Sequence, residues 1–317
     1  MNSLPRIAAV AAVSLFYSVN APAVEQDVKI PVGEVDIAGT LLTTEGAVAA
    51  AVIVAGSGPT DRNGNSAMLP GANNSLKYLA EALAARGIAS LRYDKRMIGE
   101  SQVPGLSEQA LSFDMYVDDA IALAKHMGSQ TRLPTFLIGH SEGGHIAISA
   151  AEKTDAIAGI AVVAGPGQHP ADLISAQLAP QLPPALLAEA NSTMNKLRAG
   201  QTVSSPPAGL EALFRPSVQP YMVSWFAHDP QTSIASLELP ILLVYGDTDL
   251  QVPPSQGQLL ATANPNATLI VIAGMNHVLK SVDGDKAAQM PSYGDPNLPI
   301  APELTEAIAA FFHAQSN

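Results

Sequence analysis

The chain has 317 residues, of which 47% are hydrophobic and 14% charged, ample for a buried core and unlike a disordered protein. Its formal net charge of −12 argues against nucleic acid and against an anionic membrane surface, since both need clustered Lys and Arg. The absence of cysteine excludes a disulfide framework, a Cys-ligated metal and a thiol nucleophile.

In chain order, residues 1–23 read as a signal peptide. Arg6 supplies the positive start, Ile7 to Val19 is apolar, and Ala21-Pro22-Ala23 offers a small-x-small cleavage pattern. The apolar stretch falls short of the roughly 20 residues that span a bilayer, so no stable membrane anchor is expected. This predicts a mature domain over 24–317, periplasmic or secreted.

"VKIPV" and "VDIAGTLLT" are strand-like and broken at Gly33. "AAAVIVAG" (49–56) is a continuous apolar run ending in glycine, the pattern of a strand covered on both faces. A polar loop leads into "NNSLKYLAEALAARG", helical by the spacing of Leu76, Leu79, Ala80 and Leu83 and stopped at Gly87. "IASLRYD" is the next strand and Asp114 to Met127 the next helix. "PTFLIG" is a strand, "GGHIAISAAEK" a helix and "IAGIAVVAG" a buried strand. From about 168 to 237 the chain is Pro-rich and helical in flavour, roughly 70 residues and too long for an ordinary loop, so it reads as a helical cap inserted late in the sheet. The alternation returns with "LPILLVYGD", a helix around Ser255 to Ala263, "ATLIVIAG", and a last helix from about Pro302 to His313. The fold class is therefore α/β, a mostly parallel central sheet flanked by helices.

Between "PTFLIG" and its helix stands Gly139-His140-Ser141-Glu142-Gly143, the pattern G-x-S-x-G. Mechanically this is a nucleophile elbow, a strand turning so sharply into a helix that the serine sits exposed at the tip. The same serine is also a favoured helix N-cap. A serine nucleophile needs a general base and an orienting acid, which in such an elbow follow in the order Ser, Asp or Glu, His. "LLVYGDTDLQVP" places Asp247 and Asp249 just past a buried strand, and "LIVIAGMNHVL" places His277 past the next. His313, in the last helix, reads as a solvated residue; His126, His145, His169 and His228 read as structural, and His140 points elsewhere on the turn. Either aspartate satisfies the spacing.

These segments resemble the α/β-hydrolases. Gly246 to Pro253 is similar to the family's G-x-x-D-x-x-V-P, which selects Asp249 as the acid. "GSGPTDRNGN", "LRYDKRMIGES", "IGHSEGG", "GMNHVLK" and "LFRPSVQPYMVSWF" resemble a bacterial group of carboxylesterase-like and serine-aminopeptidase-like hydrolases. Met97, where that group usually has Gly, and Asn63, where Asp is frequent, depart from it. The resemblance implies the α/β-hydrolase fold and a Ser141–His277–Asp249 triad. The oxyanion hole is expected from the backbone N–H of Glu142, after the nucleophile, and of Ser57 in "GSGP", with Gly58 next in line.

The reaction expected is hydrolysis of a small-molecule carboxylic ester through an acyl-enzyme. An aminopeptidase, using Glu142 or Asp229 to hold a substrate amine, and a thioesterase remain open, as does a binding protein that has lost turnover. Phe214, Tyr221, Trp225 and Phe226 line an acyl pocket or form the cap's own core. Asp61, Asn63 and Asn65 alternate like the start of a calcium loop, but the glycine is misplaced and no closing glutamate follows, so neither metal nor cofactor is expected. Arg92, Asp94, Lys95 and Arg96 read as a structural ion-pair cluster.

Overall fold

The computed structural model describes residues 23–282 and 284–316; the signal-peptide expectation falls, but for Ala23, outside them. The elements alternate as the hydrophobic pattern predicts. β1 (Val24–Val32) and β2 (Val35–Thr43) form a hairpin turned at Gly33, whose φ of +62° suits glycine. There follow β3 (Ala49–Val54), α1 (Ser75–Ala84), β4 (Ile88–Tyr93), α2 (Phe113–Thr131), β5 (Thr135–His140), α3 (Glu142–Ala151) and β6 (Gly159–Val163). Five helices come next: α4 (Pro170–Leu178), α5 (Pro184–Arg198), α6 (Glu211–Phe214), α7 (Gln219–Phe226) and α8 (Pro230–Ala235). β7 (Ile241–Gly246), α9 (Pro254–Ala263), β8 (Thr268–Ile272), α10 (Lys286–Gln289) and α11 (Pro302–Gln315) complete the chain.

The eight strands form one sheet in the order β1-β2-β4-β3-β5-β6-β7-β8. β1 and β2 pair antiparallel, as do β2 and β4, and every other neighbour is parallel. The central strands are buried along their whole length because helices cover both faces, which is why they read as unbroken apolar runs. The two-residue period of β3 divides its side chains between two cores. Ala50, Val52 and Val54 pack with α2 and α3, through residues such as Phe113, Leu123 and Ile146. Ala49, Ala51 and Ile53 pack with α1 and α11, through Leu76, Leu79, Leu304 and Phe312. β8, the edge strand, is only partly covered.

All ten residues of α3 are buried, so the helix after the G-x-S-x-G turn is clamped in the centre of the molecule. A third, smaller cluster holds α4 to α7 together. Phe214 and Phe226 belong to it, with Met194, Leu197 and Met222. Tyr221 and Trp225 instead face Phe113 of α2, the Trp225 ring stacked on it at 6.2 Å. Of the two readings open for these aromatics, acyl pocket or a core of their own, Phe214 and Phe226 fit the second, lying in the core between the helices that follow β6.

Candidate active site

β5 ends at His140 and α3 begins at Glu142, leaving Ser141 alone to make the turn. Its φ of +54° and ψ of −124° lie where an L-residue with a side chain is strained. The turn survives because the backbone over-determines it: Ser141 N–H donates to Val163 O (2.9 Å), and Gly144 N–H donates to Ser141 O (2.8 Å). The glycines are steric necessities. A Cβ on Gly139 would meet Gly143 O at 2.1 Å, and one on Gly143 would meet Val54 O at 2.2 Å. Although Ser141 occupies the N-cap position, its hydroxyl caps nothing. The helix-cap reading therefore lacks its hydrogen bond, and the half-buried hydroxyl is left for another purpose.

Past β7, Asp249 is buried and accepts from the Gln251 and Val252 N–H groups (2.8 and 2.9 Å), while its other oxygen meets His277 Nδ1 at 2.8 Å. Burial opposes ionisation of this carboxyl. The charge and hydrogen bond of His277 and the two N–H donors outweigh it, holding Asp249 below the usual carboxylate range. Asp247 does something else: it accepts from Gly274 N–H (2.7 Å), tying the loop after β8 to the end of β7. Asn276 folds that loop by accepting from the N–H groups of Val278 and Lys280 (3.1 and 3.0 Å), so His277 is presented on a tight, internally bonded turn.

His140 is the neighbour that sequence reasoning undervalued. Its Nε2 donates to His277 O (2.8 Å), and its ring lies 5.0 Å from the His277 ring. Burial first, and the adjoining His277 charge second, lower its pKa to about 4, so it remains a neutral strut. His145, on α3, accepts from Trp225 Nε1 (3.0 Å). His169 caps α4, and His228 Nε2 lies 3.2 Å from Asp114. His313 departs from expectation: it is half-buried, with Nε2 on Arg86 O at 2.8 Å, where a freely solvated ring was expected.

Gly56 backs directly onto the nucleophile turn, since a Cβ there would lie 3.1 Å from Ser141 Cβ. Ser57, exposed, follows it, and neither its N–H nor that of Glu142 is bonded to another described residue. The Glu142 side chain is buried: Oε2 pairs with Lys95 Nζ (2.8 Å), and Oε1 accepts from Tyr221 OH (2.7 Å). Asp229 is likewise engaged, capping α8 through Gln231 and Thr232 N–H. The remaining charges at the end of β4 and just past it serve structure. Arg92 reaches Asn63 and Glu25, Asp94 accepts from Arg62 and Glu100 N–H, and Arg96 pairs with Asp119. Asp61 uses one oxygen to accept from the N–H groups of Asn63 and Asn65. Met97, with φ of +68°, occupies backbone that favours glycine.

A cleft of ≈ 780 Å³ opens where the chain leaves Asp249. Leu250 and Gln251 form one wall, Leu173 and Gln177 of α4 another, and Met290 and Tyr293 a third. Among the described residues its only ionisable lining group is the Tyr293 phenol, raised by burial, and its lining includes the exposed Leu69, Leu250 and Met290. Met290 and Tyr293 lie beyond His277 in a stretch with no periodic signal, so the sequence offered no means of finding this wall.

The family described as serine aminopeptidase, S33 matches over residues 72–281, more than half of the chain. Esterase EstD of Thermotoga maritima is 25% identical over 250 residues, covering 77% of this chain and 58% of EstD, so the chain spans little more than half the length of that relative. Among solved structures, Est1E of Butyrivibrio proteoclasticus with bound ferulic acid matches at a TM-score of 0.58 with 16% identity, over 91% of this chain and 98% of that one. An esterase of Pyrococcus furiosus matches at 0.59 with 17% identity, over 92% and 91%. At these identities the structural likeness establishes the fold, which is that of the α/β-hydrolases. With the sheet order, the sharp turn at Ser141 and the family match taken together, the chain belongs to the serine aminopeptidase S33 family of α/β-hydrolases.

Proposed function

We propose that this protein is a serine hydrolase that cleaves carboxylic esters of small molecules. The observation that carries the proposal is a strained serine whose hydroxyl is not used in capping, in a chain whose one buried Asp–His pair at 2.8 Å among the described residues lies at the ends of the following strands. Ser141 Oγ attacks the ester carbonyl while His277 Nε2 takes its proton. Asp249 fixes the tautomer by holding Nδ1–H, and the N–H groups of Ser57 and Glu142 receive the oxyanion. His277 then gives its proton to the leaving alkoxide, forming an acyl-Ser141 ester. A water, deprotonated by His277, cleaves that ester and restores the hydroxyl.

The substrate's chain is assigned to the cleft beside Asp249, whose near-absence of charge suits an uncharged group. EstD and the Pyrococcus furiosus protein are esterases by name, and the ferulic acid bound to Est1E supports a carboxylic-acid product class here. The aminopeptidase reading is weaker, because both candidate amine holders, Glu142 and Asp229, are already bonded within the protein. Residues 1–23 are proposed to direct export and be removed, which mass spectrometry of protein from an exporting host would detect.

The test is turnover of p-nitrophenyl esters from acetate to decanoate, with thioesters and amino-acid p-nitroanilides beside them, by wild type and Ser141→Ala. Ester turnover lost in the variant is expected. Preference for anilides would favour the peptidase, for thioesters the thioesterase, and no turnover of any class would point to a binding protein.

A further inference from the structure

One buried cation, bonded to the residue that follows the candidate nucleophile, is not accounted for by the triad. Lys95 follows β4 and is almost wholly buried, at 2% exposure. Its ammonium donates to two acceptors: Gly56 O at 2.7 Å and Glu142 Oε2 at 2.8 Å. The face of Tyr116 lies 4.9 Å from the charge. These acceptors are not arbitrary. Gly56 C=O and Ser57 N–H are the two ends of one planar peptide group, and Glu142 is the residue whose N–H follows the nucleophile.

We propose that Lys95 is a positioning residue that orients and polarises the oxyanion-hole donors; this rests on the serine-hydrolase reading above. In a trans peptide the C=O and N–H point in opposite directions, so an ammonium anchored on the Gly56 oxygen fixes where Ser57 N–H aims. A charge-assisted hydrogen bond to the carbonyl withdraws electron density from the amide, which makes that N–H the stronger donor in a low-dielectric site. The second bond pulls the start of α3 toward the same centre. Tyr221 OH on the far oxygen of Glu142 completes the arrangement and connects it to α7. A lysine suits the task because one compact ammonium presents several donors from a point. Lys95 touches no reacting atom.

The competing explanation is that Lys95 merely neutralises a buried Glu142. The two separate in a cycle of Lys95→Met, Glu142→Gln and the double variant in the full chain. Tm, kcat and KM on p-nitrophenyl butyrate are measured, with Ki for an alkylboronic acid, whose serine adduct places an oxygen in the oxyanion hole. Lys95→Met alone leaves a buried carboxylate unpaired and lowers Tm; the double variant, lacking both charges, recovers much of that loss. The proposal expects kcat to fall about 10-fold on Lys95→Met both in the wild-type background and in the Glu142→Gln background, a fraction of what losing a whole donor costs. KM should change little, and Ki should rise with the loss in kcat. Recovery of kcat together with Tm in the double variant would overturn the proposal, as would a kcat within twofold of its parent. Ser141→Ala keeps the two levels apart: turnover surviving in that variant defeats the serine-hydrolase reading itself. If wild type turns over no ester, the rate of Ser141 labelling by a fluorophosphonate replaces kcat. A chain that does not label refutes both.

Discussion

His145 offers a test of the helical packing over α3. It is fully buried, and its Nδ1 accepts the indole N–H of Trp225, so the ring's proton sits on Nε2, which has no partner among the described residues. A second proton would break the Trp225 bond and place an unpaired charge in the core. Burial first, and then the charges of His228 and His169, lower its pKa to about 3 from an ordinary 6.5. A depressed histidine pKa means that the unfolded chain binds the extra proton first. The stabilisation from keeping His145 neutral is therefore complete above pH 6.5 and is lost as pH falls toward 3. At pH 4 the unfolded chain has gained about 2.5 pH units of protonation free energy, which at ~1.36 kcal/mol each is about 3 kcal/mol. His145→Phe removes the titration and keeps a ring of similar size, but strands the Trp225 N–H at a cost of about 1–2 kcal/mol. The variant should thus be less stable than wild type at pH 7 and more stable at pH 4. Urea unfolding between pH 4 and 8 measures both; His140 titrates equally in each protein and cancels in the difference. Stability curves that stay parallel across this range would refute the reasoning.

Three further outcomes follow from the site. Asp249→Asn can hold His277 only in the wrong tautomer, so kcat should fall on the order of 10⁴-fold with the fold intact by circular dichroism, whereas Asp247→Asn, which loosens only the Gly274 loop, should cost far less. Ser141→Gly relieves a positive φ that alanine cannot, so it should be more stable than Ser141→Ala by about 1 kcal/mol although both are inactive; equal melting temperatures would contradict the strain. Gly143→Ala drives a methyl into the Val54 carbonyl at 2.2 Å, where neither backbone can yield, and should destabilise by about 3 kcal/mol in denaturant titration, while Gly33→Ala meets no neighbour and suffers only from its φ.

The proposal that residues 1–23 direct export rests on sequence alone, since residues 1–22 lie outside the described structure. Within the domain, what could be read early were features that neighbours in the chain enforce. β3, β5, β6 and β7 announce themselves as unbroken apolar runs because both faces of a parallel sheet are covered. Gly139 precedes Ser141 because a Cβ there would strike Gly143 O, a steric demand between near neighbours in the chain that is visible in those neighbours, whereas the demand on Gly143 comes from Val54 on β3. The positions of Asp249 and His277, each just past a strand, followed from the same alternation.

Partnership was decided only in three dimensions. Asp247 and Asp249 are equivalent by spacing; their loop determines that one meets His277 and the other Gly274. Four aromatics close together in sequence separate on folding, Phe214 and Phe226 into one small core and Tyr221 and Trp225 toward α2, because on α7 Tyr221 and Trp225, four residues apart, share one helix face while Phe226 lies on another. The meeting of Lys95, Gly56, Glu142 and Tyr221 joins four distant segments and has no local signature. Local sterics and periodicity are written in adjacent residues, whereas the partner of a buried polar group depends on which elements the two cores bring together, and that is a property of the folded chain alone.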